Sequence, residues 1–296
     1  MVLPALRGYL QVAAAAVLWG TLGVAVRNLL ASGLSPLQAA AWRAGGAFAV
    51  LLIYCLLANR AALRVRSRDL LLLAAYGAVS VAGFMTVYFT AIELTTVATA
   101  AVLLYTAPAW VVILARALYG EAMTPMKAAA VALTFGGCAL VVGAFGPGAV
   151  RLTPSGLMAG LGAGLTYALY SIFGKAALRR HSPLTTVVYT LGFGAVFLVA
   201  ASGGLPPMRA ATFPVLAYVI AAPTCAAYLL YIAGLRRIEA GRASVVATLE
   251  PVVAALGGTL LLREPMAAAQ WVGAALVVGG VVLVQGEQLL RRPGGR

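Results

Sequence analysis

Charged residues are scarce in this chain of 296 residues, since 21 are Lys or Arg and 7 are Asp or Glu. His181 is its single histidine and Asp69 its single aspartate. Most metal sites and catalytic dyads need several such residues, so the composition removes most of these candidates, and we expect neither a metal nor an enzyme. The three cysteines lie in apolar runs and are odd in number, which favours reduced packing residues over a disulfide framework.

Motifs for nucleotide and metal chemistry are also missing. The sequence has no G-x-x-x-x-G-K-S/T loop, no G-x-G-x-x-G after a strand and no H-E-x-x-H. We therefore expect no cofactor and no ATP-driven transport. The net charge of +14 does not indicate a nucleic-acid partner, because the basic residues occur in ones to fours between apolar runs rather than as a stripe.

What the chain has in abundance is apolar sequence, with 63% hydrophobic residues and a mean hydropathy of +0.99. About 20 apolar residues cross a bilayer as a helix. Apolar runs broken by charge, proline or glycine predict an all-α membrane protein with ten transmembrane helices. The predicted spans are 6–30, 35–58, 68–91, 96–119, 125–145, 154–176, 183–201, 211–235, 243–262 and 266–287.

The scattered basic residues indicate the topology. If the N-terminus lies inside, sixteen Lys and Arg fall at cytoplasmic ends and loops and four at the outer side. Lys and Arg are retained on the cytoplasmic side of a membrane. We therefore expect a multi-pass protein of the cytoplasmic (inner) membrane with both termini in the cytoplasm and the lipid bilayer as its surroundings.

The sequence also repeats itself at a constant offset of 143 residues. Five identities share that offset: Tyr88 with Tyr231, Pro108 with Pro251, Glu121 with Glu264, Gly136 with Gly279 and Gly137 with Gly280. Each half holds five spans, and an odd number forces the second half to enter the membrane from the opposite face. We predict two inverted repeats, 1–148 and 149–296, an architecture typical of secondary transporters, whose substrate site lies between the repeats.

This pattern resembles the drug/metabolite transporter superfamily, and specifically its ten-helix EamA-type branch. The resemblance rests on Trp19-Gly20 followed by Arg27, on the mid-span prolines and on the paired glutamates, and it covers nearly the whole chain. Within that branch the sequence resembles the YddG-like amino-acid exporter group. The resemblance implies export of small metabolites, with aromatic and other neutral amino acids as the leading substrate class. Export of drugs or other metabolites in the same fold is the alternative, and a channel is a further one.

Two charged residues lie deep within predicted spans, Arg43 and Glu250. A charge near the bilayer centre costs on the order of 3 kcal/mol, so each should face a cavity or a partner. Three interpretations remain open: the two form an ion pair, they hold the carboxylate and ammonium of a zwitterionic substrate, or each is satisfied separately. If export is coupled to protons, Glu250 is the leading proton carrier.

Aromatic residues gather near the span centres, where tyrosine hydroxyls need partners and a partly wet cavity would supply them. The expected substrate-binding residues are Trp19, Arg43, Tyr76, Tyr105, Tyr167, Tyr170, Tyr228 and Glu250. Pro108, Pro223 and Pro251 predict helix kinks, which either pack against neighbouring helices or flex during access switching.

Two smaller features are interpreted as structural. Gly160 and Gly164 have the G-x-x-x-G spacing that lets helices approach closely. We favour packing inside the chain over dimerisation, and hence a functional monomer. Glu121 and Glu264 precede the fifth and tenth spans, where an acidic residue complements a helix N-terminus.

Overall fold

The computed structural model describes residues 2–146, 148–150, 152–263 and 265–290, and these contain helices and no strand. The all-helical fold expected from the sequence is therefore confirmed. The α-helices are α1 (Val2–Gly20), α2 (Leu22–Ala31), α3 (Pro36–Ala58), α4 (Ser67–Gly77), α5 (Phe84–Leu94), α6 (Val97–Leu104), α7 (Ala107–Tyr119), α8 (Pro125–Val141), α9 (Pro154–Ala177), α10 (Pro183–Ala201), α11 (Phe213–Ile220), α12 (Ala227–Leu235), α13 (Ala240–Ala247), α14 (Leu249–Leu262) and α15 (Ala268–Leu290).

These helices combine into spans numbered in chain order: α1 with α2, α3, α4 with α5, α6 with α7, α8, α9, α10, α11 with α12, α13 with α14, and α15. Within the described ranges, nine spans are long and apolar enough to cross a membrane, and α8 is a shorter apolar helix. The predicted range 125–145 for span 5 is too long, because α8 ends at Val141 and Gly143 turns the chain with φ 74. Its 17 residues are at the lower limit for crossing a bilayer.

Polar caps fix where several spans begin. The Ser35 hydroxyl accepts a hydrogen bond from the Gln38 N–H, the Ser35 N–H donates one to Gln38 Oε1, and Pro36 is the first residue of α3. This capping box satisfies two N–H groups that a helix start would otherwise leave free. The same cap-then-proline pattern starts α8 after Thr124, α9 after Thr153 and α10 after Ser182.

Spans 3 and 8 each contain a wider π-helical turn near their centre, at Ala78–Gly83 and at Ala221–Ala226. The two turns are separated by 143 residues, the offset found in the sequence. Pro223 lies in the second turn, and its missing N–H deprives the Val219 carbonyl of its usual partner. The Thr224 hydroxyl donates to that carbonyl at 2.7 Å. The helix is thus irregular at Pro223, as expected, and the Val219 carbonyl still has a hydrogen-bond donor.

Spans 4 and 9 are interrupted at repeat-related positions, between α6 and α7 and between α13 and α14. Pro108 is the second residue of α7, and Pro251 is the third residue of α14. Because the first N–H groups of a helix have no intrahelical partner, proline there removes no hydrogen bond. Thr106 and Thr248 donate their hydroxyls to the carbonyls three residues earlier, at 2.6 and 2.5 Å. The predicted kinks are therefore breaks in the helix that come just before each proline.

The main contacts between spans come in matching sets, in which each span can be replaced by the span five positions away in chain order. Span 1 packs on span 8 and span 6 on span 3, while span 2 packs on span 7 and span 5 on span 10. A Cβ added to Gly137 would lie 2.7 Å from the Gly273 carbonyl oxygen, so spans 5 and 10 approach closely. Gly160 and Gly164 lie against Leu103 of span 4. The G-x-x-x-G spacing therefore serves packing inside the chain.

Glu121 caps a different helix from the one expected. The N-terminus of α8 is capped by Thr124. The Glu121 carboxylate accepts from the N–H groups of Ala240 and Gly241, at 2.7 and 3.1 Å, where α13 begins. An acidic side chain suits any helix N-terminus, and sequence proximity does not say which one lies within reach in the fold. Its repeat partner Glu264 lies outside the described residues.

Candidate functional site

A cavity of about 310 Å³ lies between the two halves, near the middle of the helices. Its walls come from spans 1, 2, 3, 4, 6, 8 and 9. Several interruptions of the helices face it, because Tyr105 and Thr248 at the breaks and Ser80 in the first π-helical turn all line it. Irregular backbone at membrane depth is tolerated where it borders a cavity. The interruptions and the cavity are therefore parts of one feature.

Most of the residues expected in the site meet in this cavity. Trp19, Arg43, Tyr105, Tyr167, Tyr170, Tyr228, Glu250 and Pro108 all line it, while Pro223 and Pro251 are buried outside it. Tyr76 does not line the cavity, because its ring is fully buried with its centroid 4.9 Å from that of Tyr170 and 5.8 Å from that of Phe173. The π-helical turn that begins just after Tyr76 changes which face of span 3 looks into the cavity.

Arg43 reaches the cavity from span 2 and is 5% exposed. Small neighbours on its face, Ala39 and Ala40, also line the cavity and leave room for the guanidinium. No hydrogen bond joins Arg43 to another described residue, and its nitrogen atoms and the Glu250 oxygens are not within 4.0 Å. The ion-pair interpretation is thus not realised in this conformation.

Glu250 stands at the start of a half-helix. It is the second residue of α14, where the partial positive charge of the helix N-terminus stabilises a carboxylate. The Tyr167 hydroxyl donates a hydrogen bond to Glu250 Oε2 at 3.2 Å. A Cβ on Gly20 would lie 2.9 Å from the Glu250 carbonyl oxygen and 2.6 Å from Val253 Cβ, so span 1 packs directly on this turn. The helix break, Tyr167 and Gly20 together position the carboxylate.

Aromatic rings cover much of the remaining wall. Trp19 meets Tyr228 edge-on at 5.6 Å between ring centroids and lies 5.2 Å from Tyr231. Tyr170 packs edge-on against Tyr228 at 5.3 Å. Such edge-to-face contacts fix the ring planes, since the ring quadrupoles favour them. The wall between spans 1, 6 and 8 is therefore an aromatic surface whose rings pack against one another.

Sequence reasoning missed several polar lining residues. They are Ser80, Tyr88, Ser171, Tyr231, Ser244 and Thr248. The 143-residue offset could have found two of them, because it pairs Tyr88 with Tyr231. Ser80 gives no such signal, yet its Oγ is buried without a hydrogen-bond partner among the described residues. Nowhere in the described part of the chain do three or more His, Cys, Asp or Glu gather as a metal site.

The cavity differs between its two ends. On the side formed by α2 and the start of α3, its lining includes the exposed residues Gly23 and Pro36. Toward the opposite end, the last lining residues, Ser244 and Tyr231, are 7% and 3% exposed. The lining thus reaches the protein surface at one end and stops inside the protein at the other.

A bundle of membrane-length apolar helices around a polar and aromatic central cavity defines a multi-pass membrane protein of the transporter class. The family model described as the EamA-like transporter family matches residues 6–143 and 154–285, one match in each half. The chain belongs to this family.

Individual relatives agree with that assignment. An uncharacterized transporter of Archaeoglobus fulgidus is 31% identical over 276 residues, which cover 93% of this chain and 95% of that protein. A protein of Streptantibioticus cattleyicolor named a probable terminal-alkyne amino-acid exporter is 29% identical over 236 residues, 77% of this chain and 77% of its own. A solved crystal structure matches with a TM-score of 0.81 at 20% identity and covers 99% of both chains, which shows a shared fold.

Proposed function

We propose that this transporter exports neutral amino acids, including aromatic ones, from the cytoplasm by alternating access through the central cavity. The observation that carries the proposal is that Arg43 and Glu250 line one cavity with opposite charges and no ion pair between them. An amino acid brings a carboxylate and an ammonium, the two groups that would complete these side chains. The similarity to a protein named as an amino-acid exporter supports the same substrate class.

Each part of the substrate has a matching wall. The planar guanidinium of Arg43 offers paired donors that suit a carboxylate. Glu250 accepts from an ammonium while Tyr167 holds one of its oxygens. Trp19 and Tyr228 present rings to an apolar or aromatic side chain, and ring faces also attract an ammonium.

The two halves supply the movement. We propose that 1–148 and 149–296 are inverted repeats that rock around the cavity, so that it opens to each side in turn. The contact of span 1 with span 8 corresponds to the contact of span 6 with span 3, and this correspondence supports the arrangement. The excess of basic residues on one side supports cytoplasmic termini in the inner membrane, and the internal pairing of both halves supports a functional monomer.

Coupling to protons is the second part of the proposal. Glu250 is half-buried and lines the cavity, and a carboxylate that binds either a proton or the substrate ammonium would link their movements. Export of drugs or other metabolites by the same cavity is the alternative that the aromatic wall favours, because flat apolar molecules would also stack there.

Purified protein in liposomes tests both parts. We expect saturable uptake of labelled neutral amino acids, with a dependence on the pH gradient that Glu250→Gln abolishes. Glu93→Gln is the matched control, because Glu93 is an exposed glutamate outside the cavity. No saturable flux across an amino-acid panel would reject the substrate class, and flux of flat apolar drugs instead would favour the alternative. Saturable flux that ignores both the gradient and Glu250→Gln would reject proton coupling.

A further inference from the structure

An ion network lies at one end of the molecule. The opposite end holds Gly23 and Pro36, the exposed lining residues that we call the exposed rim of the cavity. Glu239 lies just before α13, accepts a hydrogen bond from Arg242 Nε at 2.7 Å and pairs with Lys127 Nζ at 3.0 Å. Arg242 also pairs with Glu287 at 3.2 Å. The side chains of Lys127 and Arg242 are only 1% and 3% exposed. Spans 5, 9 and 10 are therefore joined through buried charges.

Further hydrogen bonds, to a tyrosine hydroxyl and to backbone carbonyls, extend this network to spans 1 and 6. Arg242 Nη1 donates to the Val284 carbonyl of span 10 at 2.9 Å and to the Tyr9 hydroxyl of span 1 at 3.5 Å. Lys175 of span 6 donates to the Ile238 carbonyl at 2.6 Å. Five spans from both halves therefore meet around Ile238, Glu239 and Arg242. We call this end of the molecule the charged end.

The same positions in the opposite half carry no charge. At the 143-residue offset, Lys127 corresponds to Gln270, Glu239 to Thr96 and Arg242 to Thr99. Thr96 donates to the Ala149 carbonyl at 2.6 Å and Gln270 to the Val141 carbonyl at 2.8 Å. These are neutral hydrogen bonds, which are weaker than charge-assisted ones. Repeat-related positions at the two ends of the molecule therefore interact through different chemistry, buried ion pairs at one end and neutral hydrogen bonds at the other.

We propose that the Lys127, Glu239 and Arg242 network is a latch that holds the charged end shut and must break before the cavity can open there. Because the opposite end lacks these charges, the latch biases the protein toward the conformation seen here, with the charged end closed. Under the proposed topology that end faces the cytoplasm. The inference rests on the alternating-access part of the proposed function and not on the substrate.

Cysteine labelling from each side of the membrane tests the latch without any substrate. Cys55, Cys138 and Cys225 are first replaced by alanine, and a single reporter is then introduced as Val26→Cys or Ser244→Cys. Both reporter positions line the cavity, Val26 toward the exposed rim and Ser244 toward the charged end. An impermeant maleimide is applied to membrane vesicles of either orientation, and the rate of labelling is measured.

With the latch intact, we expect labelling of position 26 from outside and protection of position 244 from the cytoplasmic side. Glu239→Gln removes the negative charge shared by both cations, so the rate at position 244 should rise about tenfold or more, as expected when charge-assisted interactions become neutral hydrogen bonds. Glu93→Gln, the exposed glutamate, should leave both rates unchanged. An unchanged rate at position 244 in Glu239→Gln would overturn the proposal.

A second variant guards against misfolding. Lys127→Cys with Glu239→Cys allows the two positions to be joined by a short reducible cross-linker. We expect cross-linking to stop labelling of position 244 from the cytoplasmic side and reduction to restore it. Cytoplasmic labelling that persists in the cross-linked protein would overturn the latch. A failed amino-acid panel would leave these labelling rates untouched, so the two proposals fail separately.

Discussion

Tyr167 and Glu250 meet at the cavity wall, where the phenol donates a hydrogen bond to the carboxylate Oε2 at 3.2 Å. The residues come from spans 6 and 9, and the break before α14 presents the carboxylate at a helix N-terminus. One oxygen of Glu250 is thereby held by Tyr167. The phenol is therefore a positioning group for the residue that we propose binds the substrate ammonium.

Tyr167→Phe removes the hydroxyl and keeps the ring. We expect the KM for amino-acid transport to rise about tenfold or more, since a hydrogen bond to a charged group contributes about 1.5–3 kcal/mol. Tyr228→Phe is the control, because Tyr228 lines the same cavity through its ring contact with Trp19. Equal KM values for the two variants would show that the Tyr167 hydroxyl does not position Glu250 for binding.

Arg43 should be needed only by substrates that have a carboxylate. Arg43→Gln should weaken competition by a neutral amino acid about 10- to 100-fold, since a hydrogen bond to a charged group contributes about 1.5–3 kcal/mol. Competition by the corresponding decarboxylated amine should change little. Inhibition constants against a labelled substrate measure both. An equal loss for the amine would mean that Arg43 shapes the cavity without binding the carboxylate.

Gly20 sets the distance between span 1 and the Glu250 turn. Gly20→Ala places a Cβ 2.6 Å from Val253 Cβ, so we expect a loss of about 1–3 kcal/mol in the free energy of unfolding and slower transport. Gly23→Ala is the matched control, because nothing lies within 4 Å of its added Cβ. Melting temperatures of the purified proteins compare the two. Equal melting temperatures and rates would contradict the close packing at Gly20.

Glu239 should make part of the free energy of unfolding sensitive to acid. Burial raises the pKa of this carboxyl. Hydrogen bonds from Arg242 and Lys127, together with their positive charges, lower it by more than burial raises it, so the pKa of Glu239 in the folded protein is below the usual value. Its contribution is present above the unfolded pKa of about 4.3 and is lost as the pH falls through the lower folded value. The loss should be small, because the side chain is 36% exposed.

Melting curves between neutral pH and about pH 3.5 check this prediction. The melting temperature of the native protein should fall more steeply below the unfolded pKa of about 4.3 than that of Glu239→Gln. The variant serves as the reference for the other carboxyl groups, which titrate in both proteins. Parallel curves would show that the folded and unfolded pKa values of Glu239 do not differ.

The sequence predicted the spans and the deep charges well for a physical reason. Apolar runs must cross the bilayer as helices, so hydropathy places the helices, and a charge inside such a run stands out, as Arg43 and Glu250 did. The π-helical turns carry no hydropathy signal, and they decide that Ser80 faces the cavity while Tyr76 lies behind it. One sequence also cannot reveal long-range partners: Lys127 is one of the sixteen basic residues that the topology argument counts at cytoplasmic ends and loops, and the structure makes it a buried ion-pair partner.

Counterflow in liposomes tests the central claim most directly. Liposomes containing the protein are loaded with an unlabelled neutral amino acid and diluted into a trace of the labelled one. Alternating access predicts a transient accumulation of label above its outside concentration, and Arg43→Gln should reduce it about 10- to 100-fold. Label that only equilibrates across the membrane, at a rate independent of the internal amino acid, would contradict the account and indicate a channel.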